Sequence, residues 1–227
     1  MNSNLPSWDK LFSKCAEDLG ISPENRMDYL QIAQYYETKH DRNTLETLIG
    51  EQLNKAIEPN KNLSDFLSLN FPNIWTTNFD KAIERSLDSN RISYNVITND
   101  DNLKIVSDNK VNIFKCGGDI ESHQNLFITK TDYEDYQIKR TTFLSFLKRE
   151  LIINNFLFIG YSFKDRLLKH QLRSINSIIG NTTKHYAILF KEATETFQYY
   201  INDLERNYNV NVITVQDEKD FLLLLTL

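Results

Sequence analysis

Three hydrophobic runs in this chain each end in a short polar cluster: Ile74-Trp75-Thr76-Thr77-Asn78-Phe79-Asp80, Ile113-Phe114-Lys115-Cys116-Gly117-Gly118-Asp119, and Phe158-Ile159-Gly160-Tyr161-Ser162-Phe163-Lys164-Asp165. In a parallel α/β sheet, side chains and backbone amides at the carboxyl ends of the strands converge on one crevice. Three such clusters restrict the chain to an α/β fold with a ligand site along one rim of the sheet. Each cluster alone is weak, because Asn, Asp and Gly end strands of every kind. Their repetition carries the weight.

The remaining pattern agrees. Trp8, Leu11, Phe12 and Cys15 share a helical face after Ser7, and Met27 to Tyr36 and Leu45 to Ile57 recur at helical spacing, so residues 1–60 are expected to be mainly helical. A short helix between Asn60 and Leu69 leads into a strand over Phe71 to Thr77. Apolar spacing at Phe79, Ile83 and Leu87 then predicts a helix capped by Asn78. Ile92 to Ile97, Val111 to Phe114 and Leu126 to Thr129 are short strand candidates, the first two around a polar loop at Asn99 to Asn109. Thr131 and Glu134 form a capping-box pattern opening a helix towards Ile152. Phe156 to Ile159 is apolar throughout, as in a strand buried on both faces. A helix from Asp165 to Ile179, a strand over Tyr186 to Phe190, a helix over Glu192 to Arg206, a strand over Val210 to Val215 and a last helix from Asp217 complete a βα alternation. The expected fold is one α/β domain over residues 1–227, with a Rossmann-like parallel sheet flanked by helices in residues 71–227.

Composition excludes several classes. No apolar stretch approaches the roughly 18 residues of a bilayer span, and Met1 to Pro6 lacks the features of a secretory signal, so the expected location is cytoplasmic, with no membrane partner. Two cysteines, Cys15 and Cys116, cannot supply a four-thiolate zinc site, and no metal is expected. A net charge of -5 without a basic block argues against nucleic acid as a direct ligand. The frequent asparagines, as in Asn99 to Asn102 and Asn207 to Asn211, read as compositional bias.

Taken in order, the clusters resemble the sirtuin-like NAD-consuming domains, specifically the zinc-free branch of bacterial anti-phage defence proteins. Thr76-Thr77-Asn78-Phe79-Asp80 matches the family's T-T-N-[YF]-D at every position. The resemblance makes Asn78 catalytic, gives Asp80 a part in fixing hydroxyls, and places Thr76 and Thr77 against the cofactor. The second family motif, K-[apolar]-H-G-[DS], keeps Lys115, Gly118 and Asp119, but Gly117 stands where the family has its general-base His. Loss of a positioned acid/base removes on the order of a hundredfold or more in rate. Cys116 projects to the opposite face of an extended segment, and His123 reads as a loop histidine. Gly160-Tyr161-Ser162-Phe163-Lys164-Asp165 is similar to the family's G-Y-S-[apolar]-x-D. It implies close backbone approach at Gly160, a phosphate or ribose contact from Ser162, and loop ordering by Asp165. Gly118 and Asp119 join the implied cofactor contacts. The segment Leu126 to Thr129 with Asp132, Tyr133 and Tyr136 also looks like the family's "apolar, Thr, then D-Y-x-x-Y".

Family members open with a strand and a G-A-G-x-S loop followed by G-x-P-x-W-x-x-L, whereas Leu5-Pro6-Ser7-Trp8-Asp9-Lys10-Leu11 matches only the later part. The usual first strand and glycine loop are therefore expected to be absent, with weakened NAD affinity. The implied activity is NAD+ hydrolysis to nicotinamide and ADP-ribose, with NAD as substrate, no zinc, and impaired turnover in this chain. The alternative is a catalytically silent NAD-binding or assembly module partnering an active subunit; the partners expected besides NAD are a second copy of the chain or a defence-system protein.

Overall fold

Ser7 opens the first helix by accepting a hydrogen bond from the Lys10 amide at 3.4 Å, and α1 runs over Trp8–Asp18. In this computed structural model the described residues are 6–22, 28–53, 61–122, 126–163, 166–180 and 183–226. The chain divides into two compact units, Met1–Phe143 and Leu144–Leu227.

In the first unit, α1 is followed by α2 (Tyr29–Lys39), α3 (Arg42–Leu53) and α4 (Lys61–Leu67). The helical spacing expected over residues 1–60 is thus realised among the described residues, while Met27 and the stretch from Asn54 to Ile57 lie outside them. β1 (Asn73–Thr76), α5 (Ala82–Ser89), β2 (Tyr94–Ile97) and β3 (Val111–Lys115) follow, then α6 (Lys130–Glu134), α7 (Tyr136–Lys139) and the start of α8 (Thr141–Ile153). The strands form a parallel sheet ordered β1-β3-β2, with Ile74 opposite Ile113 and Val96 opposite Ile113. That alternation sends Ile74, Val96, Val111 and Ile113 to one face, where they pack with Leu63 and Leu67 of α4 and Ile83 and Leu87 of α5. On the other face Trp75 stacks on Phe114 with centroids 4.0 Å apart, and Phe143 meets both rings edge-on. Helices α1 to α3 bury Leu11, Phe12, Cys15, Ala33, Leu45 and Ile49 against Phe79, Ile120, Leu126 and Ile128. These last four lie in the loops beyond β1 and β3, so the helical segment roofs the strand-end loops rather than the sheet face.

In the second unit β4 (Leu157–Ile159), β5 (His185–Phe190) and β6 (Val210–Val215) make another parallel sheet, ordered β4-β5-β6. α9 (Arg166–Ile179) and α10 (Phe197–Tyr208) connect them, and α11 (Glu218–Thr226) places Phe221 against Ile188 and Val215. The α/β class with parallel strands and flanking helices is as expected, but the strands are distributed over two three-stranded sheets.

Several local expectations need correction. Asn78 does not cap a helix: α5 begins at Ala82, and its amide bonds Asp80 Oδ1 at 2.8 Å. The capping box lies two residues earlier than predicted, on Thr129 and Asp132, because Asp132 also accepts from the Ile128 amide, and the single helix expected beyond it is three, α6 to α8. Leu126 to Thr129 is buried but joins no sheet, and Asn99 to Asn109 contains a 3-10 turn, Asp100–Ile105, capped by Asn99. β4 is not buried on both faces, since Leu157 is exposed. The asparagines do structural work. Asn73, Asn112 and Asn95 sit side by side across the three strands, with Asn112 donating to Asn73 at 3.0 Å and accepting from Asn95 at 3.2 Å. Asn209 ends α10 in the left-handed conformation that Asn tolerates better than most residues.

Candidate functional site

β1 and β3 are neighbours, so their carboxyl-terminal loops emerge side by side. The Cys116 amide continues the ladder onto the Thr76 carbonyl at 2.8 Å, and the Ile120 amide reaches the Phe79 carbonyl at 3.1 Å. The first unit therefore brings together Thr76, Thr77, Asn78, Asp80, Gly117, Gly118 and Asp119. Thr76 Oγ1 accepts from the Asn78 amide at 3.1 Å, a tight turn that presents the exposed Asn78 at the loop tip. Gly118 has φ of 92°, a conformation that favours glycine, and its amide bonds the Lys115 carbonyl at 3.1 Å.

Beneath the tip is a buried charge cluster. Lys115 Nζ, 1% exposed, donates to the carbonyls of Phe79 at 3.1 Å and Asp80 at 2.5 Å, to Glu84 Oε1 at 2.9 Å and to Asp119 Oδ2 at 2.8 Å. Lys81 adds a second cation on Asp119 Oδ2 at 2.8 Å, while Asp119 Oδ1 accepts from the Glu121 amide. Burial pushes the Asp119 carboxyl up, but hydrogen bonds from Lys115 and Lys81 outweigh it and hold the group below its ordinary range. Lys81 is correspondingly raised: burial disfavours its charge, and Asp119 overrides that. Both oxygens of Asp119 are thus engaged within the protein, and Asp80 is buried with Oδ1 on the start of α5.

Gly117 is closed from above. A Cβ built there would lie 2.4 Å from Phe79 Cε1 and 2.9 Å from the Thr77 carbonyl oxygen. Phe79 is itself fixed, 3% exposed and met edge-on by Trp8 at 5.4 Å between centroids. The Gly117 carbonyl accepts from the Phe127 amide at 2.9 Å, and the Cys116 carbonyl accepts from the buried Tyr136 hydroxyl at 2.8 Å. The position where the resemblance expects a base is therefore occupied by an aromatic edge.

In the second unit, Gly160 follows β4 with φ of 64° and no atom within 4 Å of a built Cβ, so this backbone is open to close approach. Phe163 takes a left-handed φ of 53° and is buried against Phe158 and Tyr161. The turn leaves Ser162 exposed, and its carbonyl accepts from the Tyr200 hydroxyl at 2.9 Å. Asp165 and His123 lie outside the described residues.

Two groups carry this region without any signal in the sequence. Arg42 of α3 bonds Asp132 at 2.7 Å, Glu46 at 2.6 Å and the Leu126 carbonyl at 2.5 Å, tying the helical roof to the segment that flanks Gly117. Arg140, 2% exposed, donates to the Thr98 carbonyl beyond β2 and lies over the rings of Phe127 and Phe143 at 4.9 and 5.8 Å. Burial lowers its pKa from the usual arginine value. Their partners are distant in sequence, so only the folded chain shows them.

Among the described residues no group of three or more His, Cys, Asp or Glu is placed to hold a metal ion, and no helix is long and apolar enough to cross a membrane. The chain is 28% identical to the NAD(+) hydrolase ThsA of Bacillus cereus (strain MSX-D12) and 29% identical to that of Enterococcus faecium, in each case over 96% of its own length. It is 27% identical to the NAD(+) hydrolase ThsA of Cytobacillus dafuensis, again over 96% of its length. It spans about half the length of these curated relatives. The family described as SIR2-like domain matches residues 72–213, a stretch that takes in β1, β3, β4 and every loop described above. With more than half of its length matched, the chain belongs to the SIR2-like domain family.

Proposed function

We propose that this chain is an NAD-binding domain of the NAD+ glycohydrolase type, with turnover impaired at Gly117. The observation that carries the reading is identity of 28–29% running over 96% of the chain with proteins named NAD(+) hydrolase. In the reaction the bond between the ribose C1′ and the nicotinamide nitrogen breaks, its electron pair leaving with nicotinamide. Water adds to C1′ and loses a proton, giving ADP-ribose. Asn78, exposed at the loop tip, is suited to orient the ribose or the water. Thr76 and Thr77 precede it in the same turn, and the resemblance adds Gly118. Gly160, Ser162 and Asp165 are assigned as nucleotide contacts by resemblance alone. The branch resemblance makes NAD depletion in a bacterial defence system the biological setting, in the cytoplasm, with the 227 residues acting as one SIR2-like domain.

A second reading is favoured by one observation. Phe79 closes the position of the missing base, which fits a silent NAD-binding or assembly module beside an active partner. Incubation with NAD, following nicotinamide release and NAD binding in the same samples, separates the two. Binding with slow release supports the impaired enzyme. Binding without release supports the silent module, and no binding overturns both.

A further inference from the structure

The residues of the second motif divide by where they point. Gly117 abuts the loop of Asn78 at Thr77 and Phe79, while Lys115 and Asp119 are buried beneath it. Lys115 Nζ holds the carbonyls of Phe79 and Asp80, the two residues directly after Asn78, and Asp119 holds both Lys115 and Lys81, the next residue on. Glu84, in the first turn of α5, gives Lys115 its second carboxylate. Three consecutive residues of the loop after β1 are thus gripped from the end of β3 and the loop that follows it, by the buried Lys115 and Asp119. A buried cation with four acceptors has one low-energy position, so the segment it grips is fixed in register and orientation.

We propose that Lys115 and Asp119 are positioning residues, a latch that fixes the Asn78 turn for the ligand without touching the ligand. The roles that resemblance gives Asp119 and Asp80 shift accordingly: Asp119 closes the latch, and Asp80 supplies a carbonyl to it and a carboxylate to the start of α5. The inference rests on the NAD reading for its ligand, but the latch itself is visible without any ligand.

The test compares the parent chain with Lys115→Met and Asp119→Asn, using Leu67→Ala as a control that loosens the core around α4 without touching either loop. Two readouts are taken on each folded protein: NAD affinity, and amide hydrogen exchange at residues 77–81. The latch predicts about tenfold or greater loss of affinity and at least tenfold faster exchange at 77–81 in Asp119→Asn, both absent from Leu67→Ala even when the two melt at the same temperature. If Lys115→Met fails to fold, Asp119→Asn decides alone, because it keeps the shape of the side chain while removing the charge and one of the two acceptor oxygens that hold the lysines and the Glu121 amide. Unchanged exchange at 77–81 in that variant overturns the latch. Faster exchange with unchanged affinity overturns its positioning role. Should the parent bind no NAD, the functional reading fails separately, and the exchange result alone supports or overturns the latch.

Discussion

At the scale of single residues, Gly117 is the position where the sequence and the packing say different things. The sequence shows a missing histidine; the structure shows that Phe79 and the Thr77 carbonyl have taken the space. Restoring a side chain is therefore a steric event before it is a chemical one. Gly117→Ala should cost about 1–3 kcal/mol, the range for overpacking a filled site. The cost should shrink in a Phe79→Leu background, because residues in contact couple. Equal costs in both backgrounds, measured by denaturant unfolding, would show that the ring is not what closes the site. The pattern T-T-N-F-D was legible, yet the division of labour within it was not. Asn78 has the composition of a helix cap, but the turn made by Thr76 delays α5 and hands that task to Asp80. His185 offers a second residue-scale prediction. It is 3% exposed, its Nδ1 accepts from the Phe156 amide at 3.2 Å, and burial depresses its pKa from 6.5 to about 4. Between those values the unfolded chain binds a proton that the folded chain refuses. Stability is therefore full above about pH 6.5 and falls as pH drops through the window, by on the order of 3 kcal/mol at its lower end. His185→Asn, which keeps an acceptor near the Nδ1 position, should flatten that part of the pH–stability profile.

Elements were legible where periodicity decides them and obscure where tertiary hydrogen bonds do. Trp8, Leu11, Phe12 and Cys15 announced α1, and the burial of three of them in the helical roof follows directly. Pattern alone puts the start of α6 two residues too late, because Thr131 and Glu134 satisfy the capping-box pattern as well as Thr129 and Asp132 do. Arg42 breaks the tie, holding Asp132 at 2.7 Å from another helix. Burial raises the Asp132 pKa and Arg42 more than reverses it. Asp132→Ala removes the acceptor of two backbone amides and one carboxylate partner of the Arg42 guanidinium, so a loss on the order of 3 kcal/mol is expected. A loss no larger than that of a surface substitution, within about 0.5 kcal/mol, would show that the roof is not anchored there. The Asn73, Asn112 and Asn95 row makes the same point for the sheet. Composition suggested bias, and register turned three scattered residues into a hydrogen-bonded line.

For the molecule as a whole, the α/β class and the strand-end location of the polar clusters could be read in advance, since a parallel sheet leaves them little alternative. The division of the strands over two sheets and the inward-facing charges under the Asn78 turn could not, because both depend on pairings between distant segments. The central claim is that the strand-end loops recognise NAD through Asn78. Calorimetric titration of the parent chain and of Asn78→Ala with NAD tests it most directly. The account predicts saturable binding by the parent, and affinity weaker by roughly tenfold in the variant, the effect of losing one well-placed hydrogen bond. Equal affinities in the two proteins, or no saturable binding by the parent at millimolar NAD, would contradict it.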